Sequence, residues 1–516
     1  MEWAFFMKYT VRNILIPISQ KQNLIFVISK KLKIPTTKIK NIEVVRRSID
    51  ARKKINLKYN YTILAEIDLQ LPENSELKIF TTAMPFIQPI KKISNPHPFI
   101  IGAGPAGLFA AYSLVENGFQ PYIFERGDDI DLRAKKVNEF WRNGKLDEES
   151  NVQFGEGGAG TFSDGKLTAR TRDFYTNKIN DILIKFGADE IIKYDALPHL
   201  GTDKIRKIVK NMRTYLISKG CKFFWNHKLE DITIEQNKLT KVVINGDNYE
   251  PEILILAIGN SARDTFSMLH QKIELENKSF AVGIRIEHKQ KFINEKFFGK
   301  NADISLTGPA NYRLTAKHQN RGIYSFCMCP GGYVVAASSE AKKLVLNGMS
   351  FQSRDNKFAN SAIVVTVDKR DFGENPLAGI EFQRQIEKKC YNHEFRVPFQ
   401  TATDFLKGRK SEEIFQTSYK LGLISQDISE KLPANIVKSI KYALQQFDKR
   451  IPNFSANGNI FAPETRTSSP VRILRDRDNL CSTTAVNVYP IGEGSGYAGG
   501  IMSSAADGYK LGKVFF

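Results

Sequence analysis

Apolar and polar positions divide the start of the chain into short regular segments. Residues 8–17 and 61–69 alternate or run apolar as strands do, and residues 20–32 carry apolar side chains at helical spacing. These segments predict a small α/β module. The two prolines of SNPHP, at 94–98, predict the linker that ends it.

The stretch PFIIGAGPAGLFAAYSLVENGFQPYIFERG, at 98–127, contains an apolar run, a glycine-rich turn, an alanine-rich helix and a second apolar run. The pattern predicts a strand at 98–101, a helix at 105–117 and a strand at 121–125. This order is the outline of a dinucleotide-binding unit.

Strand patterns dominate the middle of the chain. Residues 222–262 read as a strand meander that returns to a buried run at 253–258, residues 280–370 are rich in strand patterns, and residues 405–447 are charged with helical spacing. The tail, NVYPIGEGSGYAGGIMSSAADGYKLGKVFF, is again a strand, a glycine turn and a helix. The two glycine turns lie far apart in sequence, which predicts a nucleotide domain built from two segments.

The predicted fold class is therefore α/β, with a discontinuous Rossmann-like domain and a mixed-sheet insertion. We expect a basic N-terminal α/β module at 1–95, a nucleotide-binding domain at 96–270 and 480–516, and an inserted substrate domain at 271–479.

Charge is concentrated at the start of the chain. Hydrophobic residues make up 42% and charged residues 25%, as in an ordinary globular protein. Residues 1–98 hold 13 Lys and 4 Arg against 7 acidic residues, which is half of the net charge of +20. One interpretation is a surface for RNA or another acidic ligand. A solvated lysine-rich surface is favoured, because no RNA-binding signature accompanies the charge.

Charged residues near the start, apolar windows and cysteines indicate the cellular compartment. An acid at position 2 and the charges of Lys8 and Arg12 interrupt the apolar start, so no signal peptide is readable. The longest uncharged window, 99–115, is short for a membrane span and broken by Gly and Pro. Five cysteines are too few and odd in number for a disulfide framework. We expect a cytoplasmic protein with no membrane partner.

Gly102, Gly104 and Gly107 form G-x-G-x-x-G between a predicted strand and a predicted helix. The first glycine allows the tight turn, the second allows the backbone to approach a pyrophosphate, and the third allows the helix to pack on the strand. Glu125 ends the next strand, 23 residues after Gly102, where a carboxylate can accept both ribose hydroxyls. Together these features favour a dinucleotide site over a structural glycine turn.

Two similar glycine patterns nearby fail the same test. FGEGGAG, at 154–160, has the spacing but follows a charged stretch, and no helix is predicted after it. GTFSDGKL, at 160–167, resembles a P-loop, but Leu167 stands where magnesium requires a hydroxyl. What remains is a flexible segment whose backbone N–H groups, with Ser163, Asp164 and Lys166, could line a cofactor or substrate pocket.

The tail favours FAD over NAD. Glu493 follows a strand and precedes the glycine-rich turn that leads into a helix of small residues. In two-segment FAD domains such an acid can bind the ribityl hydroxyls, and the helix start can stabilise negative charge on the reduced flavin. The alternative is a glycine-rich connection needed only for close packing.

The Gly102–Glu125 unit, LILAIGNSA and YPIGEGSGYAGG resemble the FAD-binding fold of glutathione-reductase-like and hydroxybenzoate-hydroxylase-like flavoproteins. VQFGEGGAGTFSDGKLTAR, FCMCPGGYVVAASSE, NGMSFQSRDNKFANSAIVV and APETRTSSPVRI resemble a family of poorly characterised bacterial FAD-dependent dehydrogenases, over about residues 40–516. Glu493 stands where many proteins of the wider fold carry Asp. The resemblance implies that FAD contacts Gly102, Ala103, Gly104, Pro105, Ala106, Gly107, Glu125, Arg126, Arg133, Gly160, Leu229, Gly259, Gly492, Glu493, Ala498, Gly499, Gly500 and Ile501.

Three residues are candidates for chemistry at the flavin. Cys327 and Cys329 lie two apart, so on a strand both thiols face one side and a redox role is one interpretation, although packing is favoured because C-x-C closes a disulfide only with strain. Arg466 could bind a substrate carboxylate with its planar guanidinium, or brace its own loop. No histidine stands in a catalytic-triad or zinc-ligand pattern, so neither a hydrolase nor a metal site is predicted.

The sequence thus predicts an FAD-dependent oxidoreductase that transfers hydride to or from the flavin N5 and acts on a small organic substrate. No second Rossmann unit is readable, so the hydride comes from the substrate itself or from an NAD(P)H that binds transiently. The alternatives are a flavoprotein that docks RNA on its basic module, and an FAD-binding protein without turnover.

Overall fold

The computed structural model describes residues 7–81, 94–168, 174–412 and 416–515. Positions 1–6, used above in the signal-peptide argument, and positions 169–170 of the quoted GTFSDGKLTAR lie outside these ranges. The strands are β1 (Met7–Pro17), β2 (Ile39–Asp50), β3 (Lys58–Ile67), β4 (Leu77–Ile79), β5 (Phe99–Ile101), β6 (Tyr122–Glu125), β7 (Lys222–Trp225), β8 (Leu229–Glu235), β9 (Lys238–Ile244), β10 (Asp247–Tyr249), β11 (Leu254–Leu256), β12 (Leu275–Asn277), β13 (Phe280–Lys289), β14 (Thr315–His318), β15 (Arg321–Cys329), β16 (Tyr333–Ala336), β17 (Leu346–Met349), β18 (Phe358–Val367), β19 (Val397–Thr401), β20 (Leu423–Ser425), β21 (Asn459–Glu464), β22 (Val471–Ile473) and β23 (Val488–Pro490). The α-helices are α1 (Leu24–Leu32), α2 (Pro105–Glu116), α3 (Ile130–Asn143), α4 (Phe174–Lys185), α5 (Gly201–Ser218), α6 (Arg263–His270), α7 (Gln290–Phe298), α8 (Ile304–Thr307), α9 (Lys369–Phe372), α10 (Ala378–Cys390), α11 (Ala402–Lys407), α12 (Ala434–Arg450) and α13 (Ile501–Leu511). None of the helices in the described ranges is both long enough and apolar enough to cross a membrane.

The first four strands form an antiparallel sheet in the order β2-β3-β1-β4. In β3 the alternate residues Ile63, Ala65 and Ile67 are fully buried, because successive side chains of a strand point to opposite faces. The helix α1 packs against this face through Ile28. It begins after Asn23, whose side chain accepts the Ile25 N–H, so it starts later than the predicted helix at 20–32.

A five-stranded parallel sheet joins the middle of the chain to its end, in the order β23-β11-β5-β6-β7. Ile255 lies beside Ile100 on one side and Tyr489 on the other. The helices α2 and α13 cross closely: a Cβ on Gly508 would lie 2.0 Å from the carbonyl oxygen of Ala106. The fold therefore brings the two predicted glycine turns to the same edge of one sheet, as in a two-segment Rossmann-like domain.

A mixed seven-stranded sheet, in the order β14-β15-β18-β13-β21-β19-β20, provides the second large layer. Its central pair, β13 and β18, runs antiparallel from Phe280 beside Val367 to Lys289 beside Phe358. The predicted helical stretch at 405–447 differs from the structure, because β20 separates α11 from α12. Gly422, at φ +91°, turns the chain into that strand. The α/β fold class is confirmed, and the domain boundaries stay a prediction.

The N-terminal module contacts residues 194–196, a segment that continues to the strand partner of the loop carrying Lys166. Arg47 of β2 donates its N–H to Tyr194 (2.6 Å), accepts the Ala196 N–H (2.8 Å) and pairs its guanidinium with Asp195 (3.1 Å). A few residues later the chain pairs with the loop that carries Lys166, where Leu167 donates to the Pro198 carbonyl at 2.9 Å. The module thus supports one wall of the cavity described below.

Candidate functional site

In the glycine turn after β5, backbone atoms approach so closely that no side chain has space at two positions. Gly102 has φ +106°, and a Cβ there would lie 2.4 Å from the Ala257 carbonyl oxygen. A Cβ on Gly107 would lie 1.9 Å from the Gly102 oxygen, so α2 can pack against this turn only with glycine. The helix α2 begins after Gly104, with Pro105 in its first turn and no side-chain cap. Its first amides are therefore available to a diphosphate.

Glu125 ties the turn to two other loops. Its carboxylate accepts the N–H groups of Ala103 (2.8 Å), Gly127 (3.0 Å) and Gly155 (2.9 Å). A carboxylate has about four lone-pair sites, so about one remains for a ligand. The geometry therefore leaves room for one ribose hydroxyl at Glu125, where the sequence suggested two.

The carboxyl ends of β11 and β23 meet at the same place. A Cβ on Gly494 would lie 2.6 Å from the Gly259 oxygen, and a Cβ on Gly492 would lie 2.5 Å from the Ala106 Cβ. Glu493 accepts a hydrogen bond from the Asn260 side chain at 2.8 Å, and burial raises the pKa of its carboxyl. The helix α13 begins after Gly500 without a side-chain cap.

The glycine-rich segment at 154–160 is held by a buried arginine. Arg133 is fully buried and donates to five carbonyl oxygens at 2.6–3.1 Å, those of Asn151, Val152, Gly155, Glu156 and Gly158. Burial lowers the pKa of Arg133 to about 10, so it stays charged at neutral pH. A single 3₁₀ turn, Ala159–Phe162, follows the segment where no helix was expected. Arg133 was predicted to touch the cofactor, and the structure places it behind the loop instead.

One cavity connects these features. Ser163, Asp164 and Lys166 line it as predicted. Of the predicted FAD contacts and the three candidates for chemistry, fifteen line it: Gly102, Gly104, Pro105, Ala106, Glu125, Arg126, Gly160, Leu229, Gly259, Cys327, Cys329, Arg466, Glu493, Gly500 and Ile501. Six do not line it: Ala103, Gly107, Arg133, Gly492, Ala498 and Gly499. Ala103 donates its N–H to Glu125, and Gly107 and Gly492 allow close packing, because a Cβ on either would overlap a neighbouring atom.

The donors present fit FAD. The cavity wall offers two uncapped helix starts, at α2 and α13, and two carboxylates, Glu125 and Glu493. The start of α2 suits a diphosphate, and the start of α13 suits the pyrimidine edge of a flavin. Glu125 suits the hydroxyls of a ribose, and Glu493 suits those of a ribityl chain. A Cβ on Gly158 would lie 3.0 Å from the Gly104 Cα, so the wall between them admits only backbone.

Beyond the nucleotide-binding part, the cavity wall is formed by Lys166 and by residues of β15, β17 and β21. We call this part the chamber and define it by Lys166, Phe326, Cys327, Cys329, Asn347 and Glu464. Within the described residues, no group of three or more His, Cys, Asp or Glu side chains is placed to hold a metal ion.

The two thiols of the chamber are free cysteines, but they do not alternate regularly along β15. The strand register shifts between Phe326 and Cys329, and Cys327 has φ +44°. The Cys329 thiol donates to the Cys327 carbonyl at 3.2 Å. Burial raises the pKa of Cys327 to about 12 and raises that of Cys329, so both are protonated thiols at neutral pH. This favours packing and pocket lining over thiolate chemistry.

Arg466 lines the cavity with its guanidinium already engaged. Its Nε and Nη2 each lie 3.2 Å from Glu387, and Nη1 donates to Ser339 at 2.6 Å. Glu387 is fully buried and also pairs with Arg263 at 2.7 Å. The predicted clamp on a substrate carboxylate is therefore occupied by a carboxylate of the protein itself.

Sequence reasoning missed several residues of the cavity wall. Asn260 follows β11 at the carboxyl edge of the parallel sheet, so its position in LILAIGN offered a signal. Phe326 and Glu464 come from β15 and β21 of the seven-stranded sheet, and Asn347 comes from β17, which pairs with β16 in a separate two-stranded sheet. The quoted strings that carry the family resemblance include all three residues, but nothing local assigns them to the cavity, because only the tertiary structure brings their strands together.

Family models match three parts of the chain. Residues 279–467 match the FAD-dependent protein, C-terminal domain-like family, residues 100–160 match the NAD(P)-binding Rossmann-like domain, and residues 7–66 match a domain of unknown function. An uncharacterised protein of Clostridium beijerinckii is 42% identical over 500 residues, which is 94% of each chain.

Among solved structures, CtdE in complex with FAD aligns with 83% of each chain at 10% identity and a TM-score of 0.30. A geranylgeranyl bacteriochlorophyll reductase-like protein from Thermoplasma acidophilum aligns over 81% of this chain and 77% of its own, at 10% identity and a TM-score of 0.34. At such scores the likeness extends to neither activity nor substrate. The chain belongs to the same family as the Clostridium protein, a family of FAD-dependent proteins with a Rossmann-like nucleotide-binding domain, and its cofactor is FAD.

Proposed function

We propose that the protein is an FAD-dependent oxidoreductase that exchanges a hydride with a small organic substrate. The observation that carries this proposal is the continuity of one cavity from the glycine turn at Gly102 and the acid Glu493 to the chamber at Cys327. When bound, FAD supplies the acceptor and donor of the hydride. A chamber next to that group, built mainly by strands outside the parallel sheet, is where a substrate would be held.

The chain's own groups divide into holding and enclosing residues. The uncapped start of α2 and Glu125 hold the nucleotide half, and Glu493, fixed by Asn260, faces the other half. Phe326 supplies apolar surface to the chamber, which limits water around the reacting carbon. These groups orient and enclose the substrate, which is the main work of a protein around a flavin.

A nicotinamide nucleotide is a second proposed partner. In the part of the chain that the structure describes, the second G-x-G-x-x-G at 155–160 leads into a single 3₁₀ turn, so it does not form another Rossmann start. A nicotinamide donor would therefore bind transiently, at the open side of the same cavity. Direct oxidation of the organic substrate is the other route.

The first experiment identifies the nucleotide. The protein is purified, denatured, and the released nucleotide identified by chromatography; we expect FAD, and free NAD or nothing from a well-folded sample would refute the proposal. The holoprotein is then mixed anaerobically with NADH, NADPH and a panel of small organic acids, alcohols and amines while flavin absorbance is followed. Reduction by dithionite but by none of these donors would indicate an FAD-binding protein without turnover.

A further inference from the structure

Lys166 presents its ammonium group to the chamber. Its side chain is 32% exposed while that of its partner Asp164 is 3% exposed, and their ion pair spans 2.7 Å. Because Lys166 lines the cavity, this exposed fraction opens into the cavity. An ammonium carries three donors, and Asp164 takes one of them.

Asp164 cannot fully neutralise Lys166, because its single negative charge is shared with a second cation, Arg354. Arg354 binds it through two nitrogens, at 2.9 and 2.6 Å, and Ser350 donates to it at 2.5 Å. These neighbours hold the pKa of Asp164 well below its usual range. One carboxylate thus faces two cations, which leaves an excess of one positive charge on this wall.

The opposite wall is balanced. Glu464 pairs with Arg285 through two nitrogens, both at 2.9 Å, and the two side chains are almost completely buried. Arg466, which lies outside the chamber, and Arg263 together face two carboxylates, Glu387 and Glu340. Among the described residues that line the chamber, Lys166 is therefore the cation whose charge has no full counterpart.

Asn347 adds a neutral donor to the same chamber. Its side-chain oxygen accepts from the Gly348 N–H at 2.8 Å and from Arg285 at 3.3 Å, which turns the oxygen toward the protein. Its amide nitrogen donates to no group within the described residues. Asn347 and both cysteines line the same cavity, and a Cβ on the adjacent Gly348 would lie 2.8 Å from the Cys329 sulfur.

We propose that the chamber binds the carboxylate of the organic substrate, with Lys166 as its charged partner and Asn347 as a neutral donor. The inference rests on the proposed function and names its substrate class as small monocarboxylic acids. One unmatched ammonium suits a single negative charge, whereas a phosphate dianion requires more cations than the chamber offers. The apolar face of Phe326 would lie against the rest of the substrate.

The test measures carboxylate binding rather than turnover. Isobutyrate, phenylacetate and benzoate are titrated into the oxidised FAD-loaded protein, and binding is followed by flavin absorbance and by equilibrium dialysis with labelled benzoate. Benzamide is the neutral match for benzoate, and inorganic phosphate is the competing anion. The variants are Lys166→Met and Lys166→Arg.

Lys136→Met is the matched control variant. Lys136 also pairs with a buried aspartate, Asp128, at 2.6 Å, with side-chain exposures of 38% and 5%, and in addition with Asp147 at 2.8 Å. Neither residue lines the cavity. Loss of a lysine–aspartate pair as such is therefore separated from loss of the chamber cation.

We expect at least one carboxylate to bind, benzoate to bind more tightly than benzamide, and Lys166→Met to weaken carboxylate binding by about 10- to 100-fold. Lys166→Arg should retain most of the affinity, and Lys136→Met should match wild type. The inference is overturned if no carboxylate binds wild type, if benzamide binds as tightly as benzoate, if Lys166→Met leaves the affinity unchanged, or if phosphate binds in place of carboxylates. If the protein holds reducible FAD but fails these tests, only the carboxylate inference is refuted. If it holds no FAD, the proposed function itself is refuted.

Discussion

Replacing Glu125 by glutamine should loosen the nucleotide-binding turn without changing its shape. The carboxylate accepts three backbone N–H groups at 2.8–3.0 Å while it is 5% exposed. Glutamine is neutral and has one acceptor oxygen, so all three N–H groups lose a charged acceptor, and either Ala103 or the pair Gly127 and Gly155 faces an amide NH2 and loses its acceptor. A hydrogen bond to a charged group contributes about 1.5–3 kcal/mol, and relief of carboxylate burial offsets a part.

The expected result is a loss of about 2 kcal/mol in the free energy of unfolding of this region, and a rise of the FAD Kd by about tenfold or more. Thermal melts of the FAD-free protein measure the first quantity, and fluorescence titration of FAD measures the second. Glu250→Gln, a substitution of an exposed glutamate outside the cavity, is the control. Wild-type melting and wild-type FAD affinity in Glu125→Gln would refute the role given to this carboxylate.

Four further predictions follow from other groups. Arg133→Met should lower the free energy of unfolding by about 3 kcal/mol and speed proteolysis within 151–158, because five carbonyl oxygens lose their donor; wild-type protease resistance would contradict this. Burial raises the pKa of Glu287, which accepts a hydrogen bond from Ser418, to about 7, so the stabilisation by its protonated form is present below pH 4.5 and is lost as the pH rises to 7. Relative to wild type, the free energy of unfolding of Glu287→Gln should therefore rise by about 3 kcal/mol between pH 5 and pH 8 in thermal melts, and a difference that does not change with pH would exclude the effect. Because the pKa of Cys327 is raised to about 12, its alkylation by iodoacetamide at pH 8 should be about a thousandfold slower in the native than in the unfolded protein, and comparable rates would show a reactive thiol. Transfer RNA should show no strong, salt-sensitive binding to the full chain in a gel-shift titration, and such binding would revive the RNA-docking alternative.

The nucleotide-binding half of the site follows from local pattern. Gly102 and Gly107 are spaced so that a strand, a tight turn and a helix follow one another, and a glycine is needed at each because a Cβ would overlap a carbonyl oxygen. Glu125 and Glu493 could be assigned because each lies at the carboxyl end of a strand of the parallel sheet: Glu125 ends β6, and Glu493 lies three residues after β23. Such residues are predictable because their roles depend on neighbours close in sequence.

Arg133 and Arg466 show where that reasoning stops. The resemblance implied that Arg133 contacts FAD, and Arg466 was a candidate because a guanidinium suits a carboxylate, but the fold surrounds one with five carbonyl oxygens and pairs the other with a buried glutamate. Burial and partners depend on which distant segments pack against a side chain. Their residue type alone could not distinguish a binding group from a brace.

The amino-acid sequence by itself determined the α/β class, the glycine turn, its acidic partner and the choice of FAD, since these depend on spacing along two strand–turn–helix segments, at 98–127 and in the tail. Only the tertiary structure decided that Lys166, Asn347 and Glu464 share one chamber and that Lys166 keeps an unmatched charge. Charge balance is a property of all the groups that converge on a cavity. Those groups come from segments up to about 300 residues apart, so their sum is set by the order of strands in the sheets rather than by any local pattern.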